Sequence, residues 1–117
     1  MDEKMLQRLR EAGVDVDGAC ERFMGNTAML YKFLLKFPND KNYAELEEAL
    51  CAGEIEKAFN AAHTLKGVCG NMSFVSLQCD IAEMTELLRA GKIEAARQKM
   101  PDVEKEYNKI VELIDKL

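Results

Sequence analysis

The sequence predicts an all-α protein, an up-and-down four-helix bundle with extra short N-terminal helices packed on it. Three observations predict it. The 117 residues are 48% hydrophobic, drawn mainly from Leu, Met, Ala, Ile and Val, with two prolines and no tryptophan. That mix favours helix. No Val/Ile/Thr-rich alternating run marks a strand. Apolar residues instead recur every three to four positions, the period of an amphipathic helix.

A first short helix is expected over about residues 2–11, stopping near Gly13. Val14-Asp15-Val16-Asp17 leads into another short helical turn, with Phe23 and Met24 apolar. Asn26 suits the N-cap of the next helix, which runs to Phe37 and is ended by Pro38-Asn39-Asp40. Its inner stripe reads Met29, Leu30, Phe33, Leu34 and Phe37, leaving Tyr31 and Leu35 on the opposite side. Asn42-Tyr43-Ala44-Glu45 resembles a capping box, with Asn in place of Ser or Thr. The helix it opens carries Leu46, Ala49 and Leu50 and ends at Gly53. A further helix opens at Phe74 or Val75, turns Leu77, Ile81, Met84 and Leu88 inward, and closes near Ala90-Gly91.

The C-terminal segment places Ile93, Ala96, Met100, Val103, Tyr107, Ile110, Ile114 and Leu117 on one seam without a slip. The seam stays in phase through Pro101, so one kinked but continuous helix is expected. Packing on its own domain is preferred to a dimeric coiled coil, and a monomer is expected. Ala52-Gly53-Glu54-Ile55 resembles Ala90-Gly91-Lys92-Ile93, which reads as one helix–Gly–helix corner used twice. The length suits a single domain, residues 1–117.

Charge and cysteines exclude several classes. The net charge is −5, from 21 acidic and 16 basic residues, with no basic arm for nucleic acid. No apolar run is long enough for a membrane span, and the charged N-terminus is not a signal peptide. A cytoplasmic location is expected. Cys20, Cys51, Cys69 and Cys79 form no Cys-x-x-Cys pair, so buried thiols in a reducing compartment are preferred to a zinc site. No metal site is expected on this chain.

The chain has one histidine, His63. With residues 54–72 on a helix, Ala58, Ala61, Ala62, Leu65, Val68, Cys69 and Met72 share one apolar sector. Ile55 and Phe59 lie at its edge. His63 falls roughly 160° from the centre of that sector, facing away from the core. Asn60, Lys66, Gly67 and Gly70 neighbour it on the exposed face. A glycine inside an exposed helix costs about 0.8–1 kcal/mol relative to alanine. Two on the histidine's face therefore point to clearance for something that must come close. Lys66 supplies a positive charge suited to an anion on the ring. The group reads as a nucleophile, a clearance and a counter-charge.

Ala62-His63-Thr64-Leu65-Lys66-Gly67, followed by Asn71-Met72, resembles the signature of the histidine-containing phosphotransfer (HPt) family. The resemblance runs from about residue 13 to 89. Ser73 stands where a glycine is common, and Met84-Thr85 where a Leu-Glu pair is common. The resemblance implies a phosphorelay carrier that accepts a phosphoryl group on His63 from a receiver-domain aspartyl phosphate and passes it to another receiver. Lys66 then stabilises the phosphoryl oxygens, and Gly67, with Gly70, gives the partner clearance. Asn60 hydrogen-bonds near the ring, and the outer ring nitrogen, Nε2, is the one phosphorylated. Response-regulator receivers and a hybrid sensor histidine kinase are the implied partners. Mg2+ is expected in the receiver. Tyr31 and Leu35 are the expected docking contacts, since an acidic chain cannot rely on long-range attraction to a carboxylate-rich site.

The chain has no glycine-rich phosphate loop or other ATP-binding motif, so autonomous kinase activity is not expected. Two other readings stand beside the carrier: the phosphoryl-accepting module of a chemotaxis-type histidine kinase, and a non-catalytic helical adaptor. The Met1 start with a complete bundle favours a free-standing carrier over the first, and the intact histidine speaks against the second.

Overall fold

The computed structural model describes residues 2–117. Its helices are α1 (Glu3–Glu11), α2 (Val16–Arg22), α3 (Thr27–Lys36), α4 (Asn42–Ala52), α5 (Ile55–Asn71), α6 (Val75–Arg89) and α7 (Ile93–Asp115). A single 3-10 turn, Phe37–Asn39, joins α3 to α4. No strand forms among the described residues, so the protein is all-α, as the sequence predicts.

Helices α4 to α7 form the up-and-down bundle. Each packs on the next in sequence, and α7 closes back on α4. There the Arg97 Nε–H donates to the Leu50 carbonyl at 2.8 Å, satisfying a carbonyl in the last turn of α4. Leu46, Ala58, Ala62, Leu65, Cys69, Leu77, Ile81, Met84, Ala96, Val103 and Ile110 are fully buried between the four. The α7 seam is covered within the chain. It runs unbroken through Pro101, whose ring sits on the exposed side. Lys99 of α7 reaches Asp80 (3.1 Å) and Glu83 (2.6 Å) of α6. Their hydrogen bonds hold its ammonium well above the usual lysine range.

The repeated corner is real. Gly53 and Gly91 adopt φ of +75° and +76°. The next N–H, of Glu54 or Lys92, donates five residues back to Ala49 or Leu87, at 2.9 Å in both cases. This closes the helix in the Schellman manner. The α5–α6 corner uses the same closure, with Phe74 N–H on the Cys69 carbonyl at 2.9 Å. Its left-handed residue, however, is Ser73, at φ +57°. The glycine common at this position therefore has a backbone cause: an L side chain is disfavoured in that conformation.

Residues 2–37 wrap one end and side of the bundle. Asp15 N–H donates to the Ser73 carbonyl (2.8 Å), and Ser76 N–H to the Gly13 carbonyl (3.2 Å). The N-terminal helices are thus tied by backbone to the turn that ends α5. Asn26 caps α3 as expected, its side chain accepting from Met29 N–H at 3.0 Å.

Two expectations are corrected, and one residue joins the core that the sequence reading did not place. The inner stripe of α3 is narrower than read. Leu30, Leu34 and Phe37 are buried, whereas Met29 and Phe33 stand 45% and 41% exposed, because α3 covers only one side of the bundle. The capping box at residues 42–45 does not form. Asn42 is already helical, and Asp40 takes the capping role by accepting from Asn42 N–H at 2.9 Å. Tyr43 belongs to the core. It stacks on Tyr107 at 3.7 Å between centroids, and Phe37 links that pair to Phe74.

Candidate functional site around His63

His63 is the ninth of the seventeen residues of α5 and is exposed. Its helix is held from below by Ala61, Ala62 and Leu65, all buried. Small alanines let α4 and α6 approach closely, so the helix is fixed while its outer ridge stays bare.

One turn before His63, the Phe59 ring lies nearly parallel to the imidazole, 15° between planes and 5.8 Å between centroids. The Arg89 guanidinium carbon lies 5.0 Å from the same phenyl centroid. Arg89 is itself held by Glu86, with Nε 3.3 Å from both carboxylate oxygens. The helical pattern alone placed Phe59 only at the edge of the apolar sector. Its i−4 spacing from His63 was the available signal. Nothing in the sequence pointed to Arg89, which α6 brings in from 26 positions away.

The other residues divide between the two flanks of α5. Lys66 is half-buried, and no carboxylate pairs with it among the described residues. Asn60 lies on the α4 flank. With Thr64 it borders a groove lined by Glu45, Glu48, Glu54 and Lys57. Gly67 is open: a Cβ there would meet nothing within 4 Å. Gly70 is different. A Cβ there would come 2.7 Å from Gln78 Nε2 of α6. Gly70 therefore faces the Gln78 side chain of α6, whereas Gly67 faces open space. The two glycines look alike on a helical wheel because the wheel does not show which flank the neighbouring helix covers.

The two expected docking residues have different surroundings. Tyr31 is half-buried, and its hydroxyl donates to the Leu117 carbonyl at 3.3 Å, so it ties α3 to the end of α7. Leu35 is 42% exposed but does not line the cleft between α3 and α5. That cleft is lined by Phe23, Phe33, Phe37, Val68 and Met72, with Arg22 and Lys36 at its basic edge and Asp40 also present. Phe33 packs on Phe23 at 5.3 Å, and Lys36 Nζ lies 5.4 Å over the Phe33 ring.

No cluster of three or more His, Cys, Asp or Glu side chains is arranged to hold a metal among the described residues. The four cysteines are free, but the expectation of buried thiols holds only for Cys69: Cys51 and Cys79 are exposed and Cys20 is half-buried. Cys69 is sealed in the core, and burial pushes its thiol up to about 12.

A helical bundle carrying one exposed histidine at mid-helix, next to bare backbone and an unpaired lysine, defines a class of phosphoryl-carrying modules. The family model described as the Hpt domain matches residues 38–115, about two-thirds of the chain, and the protein belongs to that family. The match starts later and ends later than the motif resemblance, taking in α7 and leaving out α1 to α3. Comparison with curated proteins and with solved structures gave no match. Hpt domains are phosphocarrier modules of phosphorelays that interact with receiver domains and have no kinase activity of their own. No helix among the described residues is long and apolar enough to cross a membrane.

Proposed function

We propose that this protein is a phosphorelay intermediate working in the cytoplasm as a monomer. It takes a phosphoryl group onto His63 from one receiver's aspartyl phosphate and delivers it to a second receiver. A hybrid sensor kinase carries the first receiver. A neutral imidazole nitrogen, Nε2, attacks phosphorus. The new P–N bond forms as the P–O bond breaks, and the electron pair leaves on the aspartate carboxylate. The other ring nitrogen keeps its proton. The reverse of this step delivers the group.

The observation that carries the reading is the ridge of α5. His63 is exposed, Gly67 beside it is bare, and Lys66 has no carboxylate partner among the described residues. Phosphoryl transfer asks mainly for positioning and charge stabilisation. Lys66 supplies a charge for the phosphoryl oxygens, and the receiver supplies its carboxylates and Mg2+. Docking falls to the cleft between α3 and α5. Residues 22–39 contain Arg22, Lys32 and Lys36 and no Asp or Glu. In a chain of net charge −5 this is the local surface suited to an acidic receiver.

The test is transfer from receivers charged with acetyl phosphate, run beside incubation with ATP and a chemotaxis-type kinase domain. The chain is expected to become labelled from a receiver, acid-labile as phosphohistidine is, and His63→Ala to take up nothing. An exposed side chain holds little packing energy, so that variant's stability is expected to stay within about 0.5 kcal/mol of the parent. Labelling retained in His63→Ala overturns the site. Labelling by the kinase domain alone favours the chemotaxis module, and no labelling at all favours the adaptor.

A further inference from the structure

We propose that Phe59, backed by Arg89, is a positioning residue for the phosphoryl-accepting imidazole. The inference rests on the carrier reading for its kinetic consequence, but its structural half stands without it.

An exposed histidine on a helix is free to choose among several rotamers, and only some present a ring nitrogen outward along the line a phosphorus atom must approach. Nothing in the core holds the His63 ring, and no hydrogen bond to either of its nitrogens exists among the described residues. The ring's ordered neighbour is Phe59, near-parallel at 5.8 Å. That spacing lies within the range of attractive aromatic pairs, and the attraction biases the ring's orientation. It is enough to favour one ring orientation over the others without locking the nitrogens into bonds that would compete with attack.

Phe59 is in turn fixed. It is half-buried and packs against the hydrophobic core, and Arg89 lies over it at 5.0 Å. Glu86 holds Arg89 in place through both carboxylate oxygens. The chain of contacts runs from Glu86 through Arg89 and Phe59 to His63, so α6 orients a side chain that it does not itself need to touch. A stacking partner suits a carrier in a further way. It leaves the lone pair of the attacking nitrogen free, and it still supports the ring after the phosphoryl group is added.

The single histidine makes the test direct. The imidazole proton signals of the intact protein belong to His63 alone. A ring stacked near a phenyl group is expected to show ring-current displacement of these signals. Phe59→Leu, which keeps an apolar side chain, is expected to abolish the displacement, and Phe59→Tyr to retain it. In transfer from a phosphorylated receiver, Phe59→Leu is expected to lower the rate at saturation by about tenfold. The half-saturating receiver concentration is expected to move less than about twofold, because docking is elsewhere. Phe59→Tyr is expected to restore the rate. Arg89→Gln is expected to give a smaller loss of both displacement and rate. Unperturbed imidazole signals in the parent, or equal loss of rate in Phe59→Leu and Phe59→Tyr, overturn the proposal, since a merely structural role does not distinguish the two rings. If the parent accepts no phosphoryl group, the carrier reading fails, while the imidazole signals still decide whether Phe59 orients the ring.

Discussion

Gly67 and Gly70 occupy similar positions on the helical wheel and have different surroundings, so substitution separates them. Ala at Gly67 meets open space and removes a helix-interior glycine, so it is expected to raise stability by up to about 1 kcal/mol. Gly67→Gln fills the space over the ridge and is expected to slow transfer while the melting temperature holds or rises. Gly70→Ala displaces only the end of the Gln78 side chain and is expected to leave transfer unchanged. Normal transfer by Gly67→Gln removes the clearance reading. Ser73 offers a second residue-scale test. It holds a left-handed backbone at φ +57°, a conformation costing an L residue about 1–2 kcal/mol. Ser73→Gly is expected to raise stability by about 1 kcal/mol in denaturant titration. An unchanged midpoint argues that the buried side chain of Ser73 offsets its backbone strain.

At the scale of the helix, α5 faces two ways, and each face has its own chemistry. The inner face carries Cys69, wholly buried, whose thiol is pushed from 9.0 up to about 12 by burial, with the nearby Asp40 carboxylate adding to it. In this window the unfolded chain loses the proton and the folded chain keeps it. Stability is therefore intact below about pH 9 and falls as pH rises toward 12. The slope from this one thiol is at most about 1.4 kcal/mol per pH unit. Tyr43 and Tyr107, also raised by burial, steepen the decline at its alkaline end. Cys69→Ala is expected to flatten the decline between pH 9 and the onset of tyrosine ionisation, measured as chemical denaturation against pH. A slope identical to the parent's means that the thiol does not carry it.

For the molecule as a whole, the matched part and the unmatched part divide the work. Residues 38–115 carry the bundle and the histidine ridge. The helices before them supply one wall of the apolar cleft beside α5 and most of the exposed large apolar side chains: Met24, Met29, Phe33 and Leu35. Phe33→Glu is expected to raise the half-saturating receiver concentration by about tenfold or more while leaving the saturated transfer rate nearly unchanged. Leu35→Glu, on the opposite side of α3, is the control. A stronger effect from Leu35 moves the docking surface to that side, and loss of the folded state in Phe33→Glu shows that the ring is structural.

Periodicity by itself determined the helical class, the order and approximate ends of the main helices, and the outward position of His63. These are local properties: a 3.6-residue repeat, glycines at Gly53 and Gly91, and an Asn cap at Asn26 act within a few residues of chain. The motif alone, in six consecutive residues from Ala62 to Gly67, pointed to the family. What only the tertiary structure decided depends on which helix lies against which flank. Packing of α6 set Gly70 against Gln78 and brought Arg89 over Phe59. Packing of α3 against one side of the bundle exposed Phe33 and took Tyr31 to the end of α7. A helical wheel records angle around one axis and is blind to the neighbour beyond it, so each of these positions awaited the assembled bundle.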